Sequence, residues 1–512
     1  MKIRSALISI SDKKEINNLL KVLSKYNIKL ISSGGTFKKI KSLGYNCFEV
    51  SNFTKFPEIL DGRVKTLHPK IHSGILFKRN KKSHKTILKK LNFEGIDLVI
   101  TNFYPFQKTI DTTKVHEKII ENIDIGGPTL VRSAAKNYND VVVITKISQY
   151  KKLINELNTY NGGTSLKFRL RMSREAFGET ASYDAKIYNY FNSISNQSIP
   201  NKFIFEADLL EKLRYGENPH QTGAIYSNKE SLKLTKLQGK DLSYNNYNDI
   251  FACLNLGKTL PKNKGTIIVK HANPSGVSMQ TNHLRSYLSA LNCDPISAFG
   301  GIVACNYKLN LQVAKEISKN YYEVIIANGF DKKVFKLFKT KKNLRLVDSS
   351  NFKLKNNQKI LSGLNSLLMQ SSDNLFFGKN NFKTVSKIKP SKKLMDQVIF
   401  SFNVCRSSKS NAIVITQDFK TLGIGSGQPS RIDSCKIAIE KMKKFNQCNY
   451  DEPLIAASDA FFPFIDGIEK LVQAGVTTIV QPHGSIRDKE IIKFADDMGI
   501  ILIFSKTRHF NH

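Results

Sequence analysis

The chain has 512 residues, of which 41 % are hydrophobic, and a formal net charge of +37. It is too long for one ordinary hydrophobic core, so roughly two to four domains are expected. No apolar run is long enough to cross a bilayer, and the seven cysteines form no CxxC pair and no Cys/His cluster at metal-ligand spacing. These features argue against a helical membrane protein, a disulfide framework and a structural zinc site, and they predict a cytoplasmic protein.

The positive charge is spread over nearly every segment of the chain. A nucleic-acid-binding protein is expected to concentrate its Lys and Arg residues in a stripe or arm with aromatic stacking platforms. Here lysine is accompanied by abundant asparagine and isoleucine, which share AT-rich codons, so genome composition accounts for much of the charge. The pattern favours chemistry on small anions, which such a field attracts. A nucleic-acid-binding protein is the alternative from another class.

Residues 1 to about 150 alternate between strand and helix patterns. Apolar runs at 6–10, 28–31, 98–101 and 141–144 predict strands, and helical patterns lie between them. Ser11 and Asp12 are placed to cap the first helix. This βαβα order predicts a mostly parallel sheet with helices on both faces.

Two strand-to-helix junctions in this region are suited to an anion. Each places hydroxyls, small residues or free backbone N–H groups where a helix begins, and a helix N-terminus favours phosphate. Tight turns with capping serines would have the same composition, and neither junction is a Walker A loop or GxGxxG. The candidate residues are Ser9, Ser11 and Lys13 at the first junction and Ser33, Gly34, Gly35 and Thr36 at the second.

Three polar clusters follow in the same region. Residues 61–69 contain Arg63, Lys65 and Thr66, Tyr104 follows the strand at 98–101, and residues 123–128 open a helix. Each cluster alone is typical of a surface loop or a solvated helix face. Together they predict proton-transfer groups near one rim of the sheet. These groups are Lys65, Tyr104, Asp124 and Lys136.

A long helix is predicted over 165–194, and the polar stretch 195–200 ends in proline and predicts a linker. The next region opens with the dense polar loop 213–221, which contains Arg214 and Tyr215. A β-branched strand at 266–269 then ends at Lys270 and His271, and Asn273–Pro274 predicts a break in the chain. A cation beside an imidazole at the end of a buried strand fits either a site or an ordinary charged turn.

The last part repeats the alternation after a low-order stretch at 378–393. Ser410 and Asn411 precede a strand at 412–415, and residues 423–431 predict a glycine-rich turn that carries Arg431. Phe461 lies in an aromatic turn that fits a wall for a planar ring or simply core. Arg508 and His512 lie in a polar terminus.

In this order the clusters closely resemble those of the bifunctional purine-biosynthesis family that combines phosphoribosylaminoimidazolecarboxamide (AICAR) formyltransferase with IMP cyclohydrolase. The resemblance extends over nearly the whole chain. It rests on GRVKTLHP (62–69), IDIGG (123–127), RYGENPHQ (214–221), VKHANPSG (269–276), SAFGG (297–301), KSNAIV (409–414) and DAFFPF (459–464).

The resemblance implies an α/β protein with a methylglyoxal-synthase-like parallel-sheet domain at 1–198, which closes formyl-AICAR to IMP. It implies two cytidine-deaminase-like α/β subdomains at 199–512, divided near 378–393, which transfer a formyl group to AICAR. The catalytic positions it implies are Lys65, Tyr104, Asp124 and Lys136 for cyclisation and Lys270, His271 and Asn411 for transfer. The substrate-binding positions are Ser9, Ser11, Lys13, Ser33, Gly34, Gly35, Thr36, Arg63, Thr66, Arg214, Tyr215, Arg431, Phe461, Arg508 and His512.

The resemblance further implies 10-formyltetrahydrofolate as co-substrate, no metal, no nucleic-acid or membrane partner, and a homodimer. A methylglyoxal-synthase-like lyase that uses only the first domain is the alternative enzyme. Some positions depart from the family pattern: His483 stands where Gly is usual, Asn328 stands where Pro is usual, and residues 405–408 are unusual before Lys409. If the first site requires a positive φ, His483 is expected to be strained.

Overall fold

The computed structural model describes residues 1–195, 199–227, 232–352, 358–446, 448–449 and 451–512. The chain divides into two compact units, Met1–Glu206 and Ala207–His512. The predicted linker at 195–200 lies partly outside the described residues. None of the helices in the described ranges is long and apolar enough to cross a membrane.

The first unit alternates strands and helices from its first residues. Its strands are β1 Ser5–Ile10, β2 Lys29–Ser32, β3 Phe48–Glu49, β4 Leu98–Asn102 and β5 Val142–Ile144. Its helices are α1 Ile16–Lys25, α2 Gly34–Ser42, α3 Val50–Thr54, α4 Pro69–Leu76, α5 Lys82–Lys90, α6 Phe106–Thr112, α7 His116–Glu121, α8 Gly126–Lys136, α9 Tyr150–Thr159 and α10 Leu166–Ile194.

The predicted parallel sheet of the first unit is confirmed. The strand order is β3-β2-β1-β4-β5, and every pairing is parallel. The central strand β1 is buried almost throughout, since Ala6, Leu7 and Ile8 are fully inaccessible. Parallel strands that are covered on both faces need such continuous apolar runs. Their carboxyl ends lie along one edge of the sheet, where ligands of open α/β sheets bind.

The prediction that Ser11 and Asp12 cap the first helix is wrong. Helix α1 begins at Ile16, and no side chain caps it. The carboxamide oxygen of Asn102, at the end of β4, instead accepts hydrogen bonds from the backbone N–H and the hydroxyl of Ser11, at 2.6 and 2.9 Å. Serine caps are a local signal, and here a partner 91 residues away in sequence competes for the hydroxyl.

The second unit contains more strands and pairs them in both directions. Its strands are β6 Asp208–Leu213, β7 Gly223–Ser227, β8 Thr235–Gln238, β9 Gly265–Lys270, β10 Asn273–Met279, β11 Ile302–Cys305, β12 Val324–Ala327, β13 Arg345–Asp348, β14 Gln358–Gly363, β15 Ser366–Ser371, β16 Phe382–Thr384, β17 Ile413–Gln417, β18 Lys420–Gly425, β19 Ile455–Ser458, β20 Thr478–Pro482 and β21 Ile501–Ser505. Its helices are α11 Tyr244–Gly257, α12 His283–Cys293, α13 Pro295–Ala298, α14 Leu311–Ile317, α15 Lys332–Phe338, α16 Lys392–Ser407, α17 Arg431–Phe445, α18 Asp466–Gln473 and α19 Asp488–Asp497.

The described strands of this unit form one large mixed sheet and two small hairpins. The large sheet has the order β16-β21-β20-β19-β17-β18-β10-β9-β11-β12-β13-β8. The first half (β10-β9-β11-β12-β13-β8) and the second (β18-β17-β19-β20-β21-β16) repeat the same pattern of parallel and antiparallel pairing. They join through β10 and β18, at Ser278 and Lys420. The predicted α/β class, with a parallel-sheet first unit and a larger α/β region after it, is confirmed.

The predicted break at Asn273–Pro274 is wrong. Strand β9 ends at Lys270, a two-residue turn follows, and the chain returns as β10, which contains Pro274. The register shifts between Pro274 and Gly276, as expected at a β-bulge. A bulge tolerates proline because the ladder there does not use its missing N–H.

The predicted glycine-rich turn at 423–431 is wrong in its first part, because Gly423 and Gly425 lie inside β18. A β-carbon on Gly423 would come within 2.0 Å of the Ala438 carbonyl oxygen in α17. Glycine therefore permits close packing of helix on strand here.

Candidate functional site

In the first unit, two lysines lie at the N-terminus of α2. A β-carbon on Gly34 would lie 3.5 Å from the Lys65 ammonium, and one on Gly35 would lie 3.8 Å from the Lys13 ammonium. Lys65 is also paired with Glu58, at 2.9 Å between the ammonium and a carboxylate oxygen. Two cations and the free N–H groups of a helix start together favour an anionic ligand.

A second helix N-terminus carries the carboxylate of this site. Asp124 precedes α8, and its Oδ1 accepts a hydrogen bond from the Gly127 N–H at 2.8 Å. A β-carbon on Gly127 would come within 2.4 Å of Asp124 Oδ2, so only glycine fits. The backbone N–H of Tyr104 donates to the same carboxylate. Thr66 reaches this helix start as well, with its hydroxyl 3.0 Å from where a β-carbon on Gly126 would lie.

The segment Lys65–Thr66 therefore contacts both helix N-termini and joins the anion site to Asp124. Burial raises the pKa of Asp124, and the two backbone hydrogen bonds offset only part of that effect. A carboxyl group whose pKa is raised toward neutrality is better matched to proton transfer than an ordinary aspartate.

Tyr183, on α10, supports Asp124 and was not predicted from the sequence. It is 6 % exposed, and its hydroxyl accepts a hydrogen bond from the Asp124 N–H at 2.8 Å. Its ring packs against Phe103 at 5.0 Å between centroids, and burial raises the pKa of its hydroxyl to about 12. In the sequence it is one apolar position of a long helix, so no local signal distinguishes it.

Other predicted residues of the first unit have partners within the protein. The Thr36 hydroxyl donates to the Ile10 carbonyl at 2.9 Å. Arg63 pairs with Glu121 on the surface. Ser11 bonds Asn102 as described above. In this structure these contacts hold the loops together, and the roles of the three residues in binding stay predictions.

Ser9 and Ser33 lie at the carboxyl edge of the sheet, and Lys136 does not. Ser9 is in β1 opposite Thr101, and Ser33 directly precedes α2. Lys136 is the last residue of α8, ten residues after Gly126. That separation corresponds to about 15 Å along the helix axis, so Lys136 is not brought to the Asp124 end. Its catalytic role stays a prediction.

In the second unit, Lys270 and His271 lie at the tip of the β9–β10 hairpin. His271 and Ala272 both have positive φ, at 53° and 57°. Non-glycine residues rarely adopt this conformation, which costs roughly 1–3 kcal/mol each and is concentrated at functional sites. The Lys270 ammonium donates to the Phe299 carbonyl at 2.8 Å, so the motif SAFGG fixes the direction of this side chain.

Asp249, on α11, holds the hairpin tip and was not predicted from the sequence. Its Oδ1 accepts a hydrogen bond from the Ala272 N–H at 2.6 Å, and the His271 backbone contributes a second. Burial raises the pKa of Asp249, and these bonds together with the charge of His271 offset part of the effect. The carboxylate stabilises a turn that would otherwise be strained.

Asn411 is held by Arg431 and by the backbone of the following loop. The Arg431 guanidinium donates to Asn411 Oδ1 at 2.7 Å and to the Asp459 carboxylate. Asn411 Nδ2 donates to the carbonyls of Gln428 and Pro429, at 2.8 and 2.9 Å. The Arg431 side chain is 9 % exposed and Asp459 is fully buried. The buried Arg431 guanidinium therefore fixes the orientation of the Asn411 carboxamide.

A pocket of about 290 Å³ opens at this point. Its lining residues are Ser410, Asn411, Gly427, Gln428, Pro429, Phe510 and His512. The hairpin tip is connected to it, because the Lys409 N–H donates to the Asn273 carboxamide at 2.9 Å. The hairpin that carries Lys270 and His271 is thus hydrogen-bonded to the segment that leads to Asn411, and His512 lines the pocket with Asn411.

The remaining predicted residues of the second unit are more scattered. Arg214 and Tyr215 follow β6 of a separate two-stranded hairpin, with the guanidinium 5.5 Å from the tyrosine ring centre. Phe461 is half-buried two residues after Asp459, and Arg508 is exposed. Their roles in binding stay predictions.

Neither His483 nor Asn328 strains the backbone. The positive φ near His483 belongs to the next residue, Gly484, at 118°. Asn328 donates from its carboxamide to the Asn306 carbonyl at 2.9 Å and accepts from the Ser349 hydroxyl at 2.9 Å. The expected strain at His483 is therefore absent, and Asn328 forms hydrogen bonds that proline would lack.

Across the described ranges, no three His, Cys, Asp or Glu side chains are grouped as metal ligands would be. Full burial raises the pKa of the thiols of Cys253, Cys293, Cys305 and Cys405. Since the thiolate is the nucleophilic form, these cysteines are structural.

Comparison with known proteins identifies the family of this chain. The model of a family described as AICARFT/IMPCHase bienzyme matches residues 134–441. The chain belongs to this bienzyme family. The model of an MGS-like domain matches residues 15–129, which include the Lys65 loop and Asp124.

Relatives named bifunctional purine biosynthesis protein PurH match the bienzyme chain over its full length. The protein from Bradyrhizobium diazoefficiens is 42 % identical over 526 residues, which cover 100 % of this chain and 99 % of that one. The protein from Leptospira biflexa is 42 % identical over 518 residues and 100 % of both chains. That from Buchnera aphidicola is 44 % identical over 528 residues, covering 100 % and 99 %.

Proposed function

We propose that this bienzyme transfers a formyl group to AICAR at the hairpin-tip site of the second unit and closes formyl-AICAR to IMP at the Asp124 site of the first. The observation that carries the assignment is the presence of two separate constellations, one in each unit. Lys65, Thr66 and Asp124 gather at two helix N-termini. The hairpin that carries Lys270 and His271 is hydrogen-bonded, through Asn273 and Lys409, to the segment that brings Asn411 to the pocket. Two reactions with different requirements need two such sites.

In the formyl-transfer reaction, the AICAR amine attacks the formyl carbon of 10-formyltetrahydrofolate. His271 accepts the amine proton as the new C–N bond forms, and the formyl oxygen becomes an oxyanion. The Lys270 ammonium stabilises that charge, since the Phe299 carbonyl holds it in one direction. The oxyanion then collapses, the bond to N10 of the folate breaks, and N10 takes up a proton. Asn411 is oriented to hold the substrate.

In the cyclisation, the carboxamide nitrogen of formyl-AICAR attacks the formyl carbon of the same molecule. The formyl oxygen leaves as water after it gains two protons, one of them from the attacking nitrogen. Because the reaction is intramolecular, positioning supplies much of the acceleration. Lys13, Lys65 and the start of α2 hold the phosphate, and Asp124 transfers the proton. We infer that neither step needs a metal and that the enzyme works in the cytoplasm.

Lys65→Ala tests the first-unit assignment. With AICAR and 10-formyltetrahydrofolate supplied, the variant is expected to accumulate formyl-AICAR, because the ammonium that holds the phosphate beside Asp124 is gone. Chromatographic separation of formyl-AICAR from IMP measures the effect, and Lys55→Ala, on the preceding loop, is the matched lysine control. If Lys65→Ala forms IMP at the wild-type rate, Lys65 is not part of the cyclisation site.

We also propose that the bienzyme is a homodimer. The β14–β15 hairpin exposes apolar side chains that a monomer would leave in water. Leu361 and Leu368 pair across the two strands and are 54 % and 75 % exposed, and Leu364 at the turn is fully exposed. Exposed apolar patches of this kind mark interaction surfaces. A second copy of the chain is the proposed occupant.

The double variant Leu361→Lys/Leu368→Glu is expected to shift the protein toward the monomer mass. Opposite charges across the strands preserve the hairpin while making its surface polar. Light scattering behind size exclusion measures the mass, and Ile486→Lys, at an exposed apolar residue elsewhere, is the control. An unchanged dimer mass would rule out this hairpin as the contact, and a monomeric wild type would rule out the homodimer.

A further inference from the structure

The C-terminal segment Thr507–His512 leaves the last strand, β21, and reaches the pocket. Phe510 and His512 line the pocket, and Arg508 is exposed beside them. Exposure alternates along the segment: residues 508, 510 and 512 are exposed, residue 509 is buried and residue 511 is half-buried. In an extended chain successive side chains point to opposite sides. The contacts of the buried residues therefore determine where the exposed side chains of the segment lie.

His509 is the inward residue with the most partners. It is 6 % exposed, its Nδ1 lies 2.5 Å from an Asp373 carboxylate oxygen, and its Nε2 lies 2.7 Å from the Thr507 hydroxyl. Nδ1–H of His509 donates to the Asp373 carboxylate, and Nε2 forms a second hydrogen bond with the Thr507 hydroxyl. The His509 backbone N–H also donates to the Asp459 carbonyl at 3.0 Å.

Aromatic rings and a second charge surround this pair. The His509 ring is perpendicular to Phe377 and Phe402, with centroids 5.0 and 5.6 Å away. The Arg406 guanidinium stacks over Phe377 at 4.6 Å and lies 3.7 Å from the other Asp373 oxygen. Burial would raise the pKa of Asp373, but the hydrogen bond from His509 and the charges of His509 and Arg406 lower it. Asp373 is thus a charged anchor at neutral pH.

Two further contacts hold the end of the segment. The Asn511 N–H donates to the Ser410 hydroxyl at 3.0 Å, and the Ser410 N–H donates to the Asn511 carbonyl at 3.0 Å. The Lys359 ammonium, on β14, donates to the His512 carbonyl at 3.1 Å. Asp373 and Lys359 both belong to the stretch that connects the two halves of the large sheet. Residues of that stretch therefore hold the C-terminal segment through contacts with His509 and His512.

We propose that Asp373 and His509 are positioning residues for formyl transfer, which hold the C-terminal segment so that Arg508 and His512 face the pocket. The inference rests on the proposed function of that pocket. Without the Asp373–His509 pair, the C-terminal segment is no longer fixed in position. Arg508 and His512 then no longer contact the substrate together. A displacement of about 1 Å can cost up to a hundredfold in such a site.

The test compares His509→Leu and Asp373→Asn with the wild type in the full-length enzyme. For both variants the KM for AICAR is expected to rise about ten- to hundredfold with kcat within about twofold, as when ground-state binding is lost. Cyclisation of added formyl-AICAR is expected to be unchanged, which shows that the first unit is intact, while the retained kcat for formyl transfer shows that the second unit has folded. Asp331→Asn, an exposed aspartate paired with Lys308 at 3.0 Å, is the matched control.

Combined variants separate positioning from general destabilisation. If His509 acts through Arg508 and His512, adding His509→Leu to Arg508→Ala/His512→Ala will raise the KM no further than those two substitutions do. Additive effects on the KM would overturn the inference. An unchanged KM in Asp373→Asn would also overturn it. Because Asp373→Asn preserves the packing, it tests the inference even if His509→Leu fails to fold. If wild type shows no formyl transfer, or if Arg508→Ala and His512→Ala leave it unchanged, the pocket assignment itself fails.

Discussion

Lys270→Ala is expected to reduce formyl transfer about 10²- to 10³-fold, the loss seen when one donor to a developing oxyanion is removed. The Lys270 ammonium lies beside a strained hairpin tip and is held in one direction by the Phe299 carbonyl. Release of tetrahydrofolate, followed by absorbance with saturating AICAR, measures the rate. Cyclisation of added formyl-AICAR is expected to stay at the wild-type rate.

Lys319→Ala is the matched control for Lys270→Ala, since Lys319 is exposed and pairs with Glu316, three residues before it in the chain. It is expected to leave both reactions unchanged. Should Lys270→Ala reduce both reactions equally, the assignment of one reaction to each unit would be wrong.

Asp124→Asn is expected to reduce cyclisation about 10²- to 10⁴-fold, because asparagine cannot accept the proton. Its carboxamide oxygen can still accept the Gly127 N–H, so the loop is expected to keep its shape. Spectroscopic detection of IMP from formyl-AICAR measures the effect. Asp111→Asn, on the exposed face of α6, is the control and is expected to be silent.

The raised pKa of Asp124 makes two pH effects predictable. The acid limb of the cyclisation profile is expected above the pH at which an ordinary aspartate titrates, about 3.9. The folded state also binds this proton more tightly than the unfolded state, so the stabilisation from protonated Asp124 is lost as pH rises through the raised pKa. At neutral pH Asp124→Asn is therefore expected to have a higher Tm than wild type. A lower Tm for Asp124→Asn than for wild type, together with an acid limb of the wild-type cyclisation profile at the pH of an ordinary aspartate, would contradict the inferred burial of the Asp124 charge.

Local sequence patterns were sufficient for the elements and for part of each site. The apolar runs of β1, β4 and β9 are continuous and β-branched, so their strand identity follows from the chain itself. Residues that directly follow parallel strands, such as Tyr104, had to lie at one edge of the sheet. The family followed from the order of the motifs.

Local patterns were misleading where a distant partner decides the outcome. Pro274 was expected to end a strand, yet pairing with β9 through a bulge continues it. Ser11 was expected to cap the first helix, yet its hydroxyl donates to Asn102 at the end of β4.

The sequence by itself determined the α/β class and the bienzyme family, and it singled out Lys65, Asp124, Lys270 and His271 as candidate reactive groups. Only the tertiary structure decided what orients them: Tyr183 beneath Asp124, Asp249 beneath the hairpin tip, and Asp373 beside His509. The physical reason is that a reactive side chain belongs to a local motif, whereas its supporting partner comes from wherever the fold brings a complementary group. Asp373 and His509 are 136 residues apart, and no periodicity in the chain connects them.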